Sequence, residues 1–297
     1  MQQRITPNIW FNGNAKEAVE FYVAAFPDGK LGTISYYPHE GLADFQEGLA
    51  GKELTVDFDL GGHQLTAINA GPEFTVNPSI SLTVNFDPSR DDEAETHLNE
   101  LWQKLIDGGK ALMPLDTYPY SKRYGWVMDR YGVTWQLILT DPAGEPRPFI
   151  MPTLLFSGAH INQAKEAVEY YLSIFKNTKP GMMSYYEEVT GPAQKGSLMY
   201  GDFMIEDQWF AAMDSGVEQD FTFNEAVSLV LLCKDQAEID AYWEELSTVP
   251  EAEQCGWCKD KFGVSWQIVP DNMAELMARP GAFAHLMDMK KLVVADF

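Results

Sequence analysis

Three cysteines, five histidines and several paired carboxylates are the residues of this 297-residue chain whose types could do chemistry. Cys255-Gly256-Trp257-Cys258 has the spacing of a redox pair or of half a zinc site. A redox pair needs a helix N-terminus to lower a thiol pKa, and a zinc site needs a second ligand pair. The surrounding sequence reads as a strand. There, residues i and i+3 point to opposite faces, about 10 Å apart along the chain, which is too far for a disulfide. His39, His63, His97, His160 and His285 form no pair with ligand spacing on one element. Ser157-Gly158 and Ser215-Gly216 lack a Gly-x-Ser-x-Gly elbow, and Glu187-Glu188 and Glu244-Glu245 read as solvated faces. What remains is a set of aromatics interleaved with neutral amides, a mixture suited to recognising small molecules.

Composition narrows the setting. Hydrophobic residues make up 45% and charged residues 22%, an ordinary globular balance for about two domains. The net charge of −23 repels phosphate backbones and anionic lipid, so neither nucleic acid nor a membrane surface is an expected partner. Three cysteines do not make a disulfide framework, and Met1-Gln2-Gln3-Arg4-Ile5 runs straight into strand-like sequence. The expected compartment is the cytoplasm.

The elements that must position these residues occur twice. Ala15-Lys16-Glu17-Ala18-Val19-Glu20-Phe21-Tyr22 recurs as Ala164-Lys165-Glu166-Ala167-Val168-Glu169-Tyr170-Tyr171. Ser35-Tyr36-Tyr37 recurs as Ser184-Tyr185-Tyr186, and Asp129 to Gln136 recurs as Asp260 to Gln267. The second copy carries four extra residues around His160, and the first carries sixteen more between Leu82 and Gly125. Asp141 to Pro148 is rich in proline and reads as the linker between the copies. In copy one, strands are expected at 5–11, 31–37, 53–60 and 63–69, with a helix over 15–26 capped by Asn14. Gly61-Gly62 makes a hairpin turn. The rhythm restarts with a strand at 79–86, a helix at 93–106 and strands at 111–117, 123–129 and 133–140. Each copy therefore holds two β-α-β-β-β units. The second copy lacks one strand, because Ser247 to Gln254 is short and broken by Pro250.

This pattern resembles the vicinal oxygen chelate superfamily of glyoxalases, extradiol dioxygenases and bleomycin-resistance proteins. More narrowly, it is similar to the PhnB-like family that carries the label 3-demethylubiquinone-9 3-methyltransferase. The matching residues are Ile5-Thr6-Pro7-Asn8-Ile9-Trp10-Phe11, Ala15 to Tyr22, Gln254-Cys255-Gly256-Trp257, Lys261 to Pro270 and the ending Met287-Asp288-Met289-Lys290-Lys291. The resemblance implies an α+β fold with two tandem glyoxalase-like domains, residues 1–143 and 150–297, whose paired units form cupped mixed sheets. It also implies metal-ligand positions near Thr6, Ser79 and Gln136 in copy one and near Met151, Ala226 and Gln267 in copy two. One neutral amide per site holds no catalytic ion, so the expectation is no cofactor, with a divalent metal as the alternative.

If Gln136 faces the cup, Thr134 and Ile138 do too, while Trp135 and Leu137 face the helices. Thr6, Asn8 and Trp10 share a face opposite Ile9 and Phe11. Ala67 and Asn69 are assigned to the cup, as are Ala212 and Asp214. The expected ligand-binding set is Trp10, Asn69, Gln136, Asp214, Cys255, Trp257 and Gln267, with Tyr36 and Tyr185 as further walls. The leading function is binding of a small, partly aromatic or apolar molecule. The alternatives are a metal-dependent lyase, isomerase or dioxygenase, and the methyltransferase of the family label. No Gly-x-Gly-x-Gly follows a strand to cradle S-adenosylmethionine. Because the two rims differ, one cup is expected to be active and the other degenerate. The chain is expected to be an intramolecular pseudo-dimer, with a homodimer of the whole chain possible.

Overall fold

The computed structural model describes residues 3–297. The first unit is β1 (Ile5–Phe11), α1 (Ala15–Ala25), β2 (Lys30–Tyr36), β3 (Glu53–Leu60) and β4 (His63–Asn69). The second is β5 (Ile80–Phe86), α2 (Ala94–Ile106), β6 (Lys110–Tyr118), β7 (Ser121–Met128) and β8 (Thr134–Leu139). Copy two follows with β9 (Ile150–Phe156), α3 (Ala164–Ile174), β10 (Lys179–Tyr185), β11 (Leu198–Ile205) and β12 (Gln208–Asp214). Its second unit is β13 (Val227–Cys233), α4 (Gln236–Leu246), β14 (Trp257–Lys259) and β15 (Ser265–Pro270), and the chain ends in α5 (Met273–Met277) and α6 (Ala282–Asp288). These bounds match the expected ones closely. A 3-10 turn at Pro250–Ala252 stands where copy two lacks a strand. No helix among the described residues is long and apolar enough to cross a membrane.

The strands form two mixed sheets, in the orders β14-β15-β13-β1-β4-β3-β2 and β10-β11-β12-β9-β5-β8-β7-β6. Neither sheet is confined to one copy. The first unit of copy one shares a sheet with the second unit of copy two through the antiparallel β1–β13 pair, and the reverse pairing runs through β5–β9. The sheets therefore do not divide where the copies do: β8 and β9, on either side of 141–148, lie in the same sheet. The chain instead passes between sheets at residues 70–79 and 215–226. There the side chain of Asn77 donates to the Thr222 carbonyl and that of Asn224 donates to the Thr75 carbonyl, both at 2.9 Å. Equivalent residues thus bond reciprocally, as about a pseudo-two-fold axis.

Each sheet turns one face to the helices. Ile5, Ile9 and Phe11 alternate inward from β1 and join one continuous core with the helical faces of all four units. Tyr22 and Phe26 pack on Trp135, and Tyr171 and Phe175 pack on Trp266. The repeated Asp-to-Gln motif explains itself here. Asp260 accepts from the backbone of Phe262 and Val264, from the Trp266 indole and from the Tyr171 hydroxyl, so one buried carboxylate ties a turn to a helix. Asp129 binds Tyr131, Val133 and Trp135 in the same way. Burial pushes both carboxyls upward, and these bonds oppose the shift.

Asn14 does not cap α1 with its side chain. Asn69, reaching from the end of β4, accepts from the Ala15 N–H at 2.9 Å, and Asp214 serves Ala164 of α3 in the same way at 3.2 Å.

Candidate functional site

The concave face of the seven-stranded sheet carries the residues that alternate away from the helices. Asn8 of β1 pairs with Ser228 of β13 on one side and Thr66 of β4 on the other, and Thr66 pairs with Asp57 of β3. Beyond Ser228 stand Ser265 of β15 and, paired with it, Lys259 of β14. A polar belt therefore crosses the floor in the order Asp57, Thr66, Asn8, Ser228, Ser265, Lys259. The Thr66 hydroxyl donates to Asp57 at 2.8 Å, and Gln267 donates to the Ser228 hydroxyl at 2.9 Å. Lys259 is neutralised by Glu225 at 2.9 Å. Asn8 is 3% exposed, and its Oδ1 is buried with no partner among the described residues.

An aromatic wall borders this belt. Trp10 meets Phe74 edge-on at 5.1 Å and Trp257 at 6.0 Å, and its indole N–H is fixed by the Gly71 carbonyl at 2.7 Å. On the other side Val230, Leu232 and Val269 pack against the C-terminal segment in a small core of their own. That segment spans the mouth of the cup. Phe283 meets Tyr37 in the loop after β2, while the carbonyls of Met289 and Lys290 accept from the backbone of Cys255 and Gly256 just before β14. β2 and β14 are the two edges of this sheet, so the tail bridges them.

Of the expected site residues, Trp10, Trp257 and Gln267 converge in this cup. Cys255 lies at its rim with a positive φ of 53°, its thiol against Met287 of the tail rather than open to the cup. Burial raises this thiol. Cys258 is buried in the helix-side core, so the two cysteines of the Cys-x-x-Cys lie in different surroundings. Asn69 and Asp214 are corrections. They sit on the helix faces of β4 and β12, where helix N-termini need acceptors, and both are buried there. Tyr36 and Tyr185 are corrections too, being 56% and 41% exposed at the ends of edge strands. Asp57, Thr66, Asn8 and Ser228 were not in the expected set. Their convergence depends on which units share a sheet, which the repeat alone does not specify; the period-two alternation of β1 did place Asn8 beside Trp10.

The eight-stranded cup is filled by its own side chains. Gln136 accepts from the Tyr124 hydroxyl at 2.8 Å and donates to Ser81 at 2.6 Å, so its amide is spent internally. Thr83 and Thr153 share a hydrogen bond at 2.6 Å. Ser81, Thr134, Met151 and Thr153 are buried. Tyr118, Tyr120 and Tyr124 pack together on the β6–β7 hairpin. Arg147 of the linker clamps Asp202 with two bonds of 2.8 and 3.1 Å while lying over Trp209 at 3.8 Å.

The metal implied by the fold family does not fit these residues. At and beside the ligand positions stand Thr6, Asn8, Ala226, Ser228 and Gln267 in one cup, and Ser79, Ser81, Gln136 and Met151 in the other. No carboxylate or imidazole among them brings charge to offset dehydration of a divalent ion. Among the described residues no cluster of three His, Cys, Asp or Glu forms elsewhere. Two surface crevices of about 460 and 510 Å³ lie beside the helix pairs α1–α2 and α3–α4, the first reaching Asn85 and Arg147 at the border of the eight-stranded cup, and their linings are rich in charged side chains.

A model of the 3-demethylubiquinone-9 3-methyltransferase family matches residues 3–138 and 148–269. A PhnB protein from Bacillus cereus bearing the same family name is 33% identical over 46% of this chain and 100% of its own, with a TM-score of 0.39. Protein PA1353 from Pseudomonas aeruginosa is 25% identical over 47% of this chain and 98% of its own, with a TM-score of 0.38. Glyoxalase I from Zea mays shares the fold over 96% of this chain and 97% of its own, at 13% identity and a TM-score of 0.51. No curated protein matches the chain. The chain belongs to the PhnB-like family that carries the 3-demethylubiquinone-9 3-methyltransferase name, as a two-copy form of the glyoxalase fold.

Proposed function

We propose that the protein binds a small organic molecule with an apolar or aromatic body in the seven-stranded cup, without a resident metal. One observation carries this reading: the Asn8 Oδ1 is buried, partnerless and on the concave face beside Trp10. An unsatisfied buried carbonyl costs about 1–3 kcal/mol, which a ligand N–H or O–H relieves. Trp10 and Trp257 supply the apolar walls and Gln267 a second amide. We take the eight-stranded cup as the degenerate one: its amide, Gln136, is paired with Tyr124 and Ser81, and the buried group left there without a described partner is a donor, the Trp126 indole N–H. Three unpaired cysteines suit a reducing cytoplasm, and the charge of −23 disfavours nucleic acid.

Thermal-shift screening of a small-molecule panel tests the reading, because a ligand that binds only the folded state raises the melting temperature. Hits are expected to bind once per chain and to be lost in Trp257→Ala. A panel with no hit would overturn the proposal. Stoichiometric zinc, nickel, manganese or iron in fresh protein, lost on changing Gln267, would replace it with a metal-dependent enzyme. Methyl transfer rests on the family name alone, and calorimetry is expected to show no binding of S-adenosylmethionine.

A further inference from the structure

The two cups treat one acidic position differently. Asp57 and Asp202 occupy equivalent places: each opposes the fourth strand of its unit, which in turn pairs with the first strand at Asn8 and Thr153 respectively. In the eight-stranded cup the chain supplies its own cation. The Arg147 guanidinium binds both oxygens of Asp202 and stacks on Trp209. In the seven-stranded cup Asp57 accepts from Thr66, and no described cation forms an ion pair with it. Lys259, at the far end of the same belt, is held by Glu225. Two acceptors on one belt are thus left without a full complement: a half-buried carboxylate and the buried Asn8 carbonyl.

We propose that the seven-stranded cup is selective for a cationic ligand rich in N–H donors, an amidinium, guanidinium or ammonium group on an aromatic body. Arg147 shows the same chemistry carried out within the chain in the other cup. The cation faces Asp57, an N–H reaches Asn8, and the body lies against Trp10 and Trp257. Burial raises the Asp57 carboxyl, as expected of a charge without a partner. This inference rests on the small-molecule reading and adds its ligand class.

Calorimetry with benzamidine, benzamide and benzoate on the full chain tests it. Benzamidine is expected to bind one site per chain at least tenfold tighter than benzamide, with benzoate weaker still. Asp57→Asn is expected to bring benzamidine down to the benzamide level. As a check that needs no variant, wild-type affinity for benzamidine is expected to fall as pH drops through the raised Asp57 titration, while that for benzamide stays flat. Benzamide or benzoate binding as tightly as benzamidine, or Asp57→Asn leaving benzamidine unchanged, overturns the ligand class and leaves the small-molecule reading standing. Absence of binding by every compound, here and in the panel, overturns both.

Discussion

Asn8 sits where a strand would ordinarily place a hydrophobic or paired residue, and its carbonyl is left without a donor. Replacing it by Leu removes that penalty, so Asn8→Leu is expected to raise stability by about 1 kcal/mol in denaturant unfolding while abolishing ligand binding. Asn69 should behave in the opposite way. As the cap of α1 it is expected to cost about 1–2 kcal/mol on change to Ala, with ligand affinity unaltered. A drop in affinity without loss of stability would return Asn69 to the cup. The sequence could not separate these two asparagines. On β4, Leu65 and Ala67 alternate with Thr66 and Ile68, and either set makes a credible apolar face. The choice is settled by the orphan N–H groups of α1, which belong to a distant element. His63 gives a pH signature. Its Nε2 is buried without a partner among the described residues, and desolvation lowers the ring to about 4, from 6.5 in the unfolded chain. The folded state therefore disfavours the proton. Stability is full above about pH 6.5 and falls by roughly 2–3 kcal/mol as pH drops towards 4. His63→Gln is expected to flatten unfolding free energy across that window.

At the scale of elements, the tail does the work of the strand that copy two lacks. The copy-one equivalent, β6, pairs along β7. Beside β14, the carbonyls of Met289 and Lys290 meet Cys255 and Gly256, and Gln254 donates to the Met287 carbonyl at 2.6 Å. Lys290 then pairs with Glu253, and Lys291 with Asp240. A chain ending at Pro270 would expose Val230, Leu232 and Val269 together with an open sheet edge. It is expected to bind a hydrophobic dye and to self-associate in light scattering; a monomeric, dye-silent truncation would show that the tail covers nothing essential. The missing strand was legible in Pro250 and in the short spacing to Gln254. Its replacement was not, because the tail's periodicity gives no sign of what it crosses.

At the scale of the molecule, the exchanged units make each cup the joint product of both copies. The repeat and its two offsets were plain in the sequence. The partner of each unit was not, since equivalent strands present similar edges and the deciding contacts lie in the crossing segments around Asn77 and Asn224. Residues 3–144 and 145–297 expressed together from separate genes are expected to co-purify as one complex. The secondary structure by circular dichroism should match the intact chain, because the cut falls in a loop and both sheets bridge it. Each half alone is expected to be insoluble or to pair with itself. Two independently folded monomers would contradict this. The same architecture makes Arg147→Ala costly, by about 3 kcal/mol, because it strands the buried Asp202 charge at the joint between the copies.

The pairing of β1 with β13 also sets the order of events during synthesis. Ile9 sits against Val227, so the middle of the seven-stranded sheet cannot close until more than two hundred further residues have left the ribosome. At about 5–20 residues per second that wait is roughly 10–45 s. Throughout it, β1 to β4 carry an unpaired inner edge, while the eight-stranded sheet can finish once β12 emerges. The cup inferred to bind ligand is therefore the last part of the molecule whose strands are all available, and its long-range closure is expected to make it slow to form.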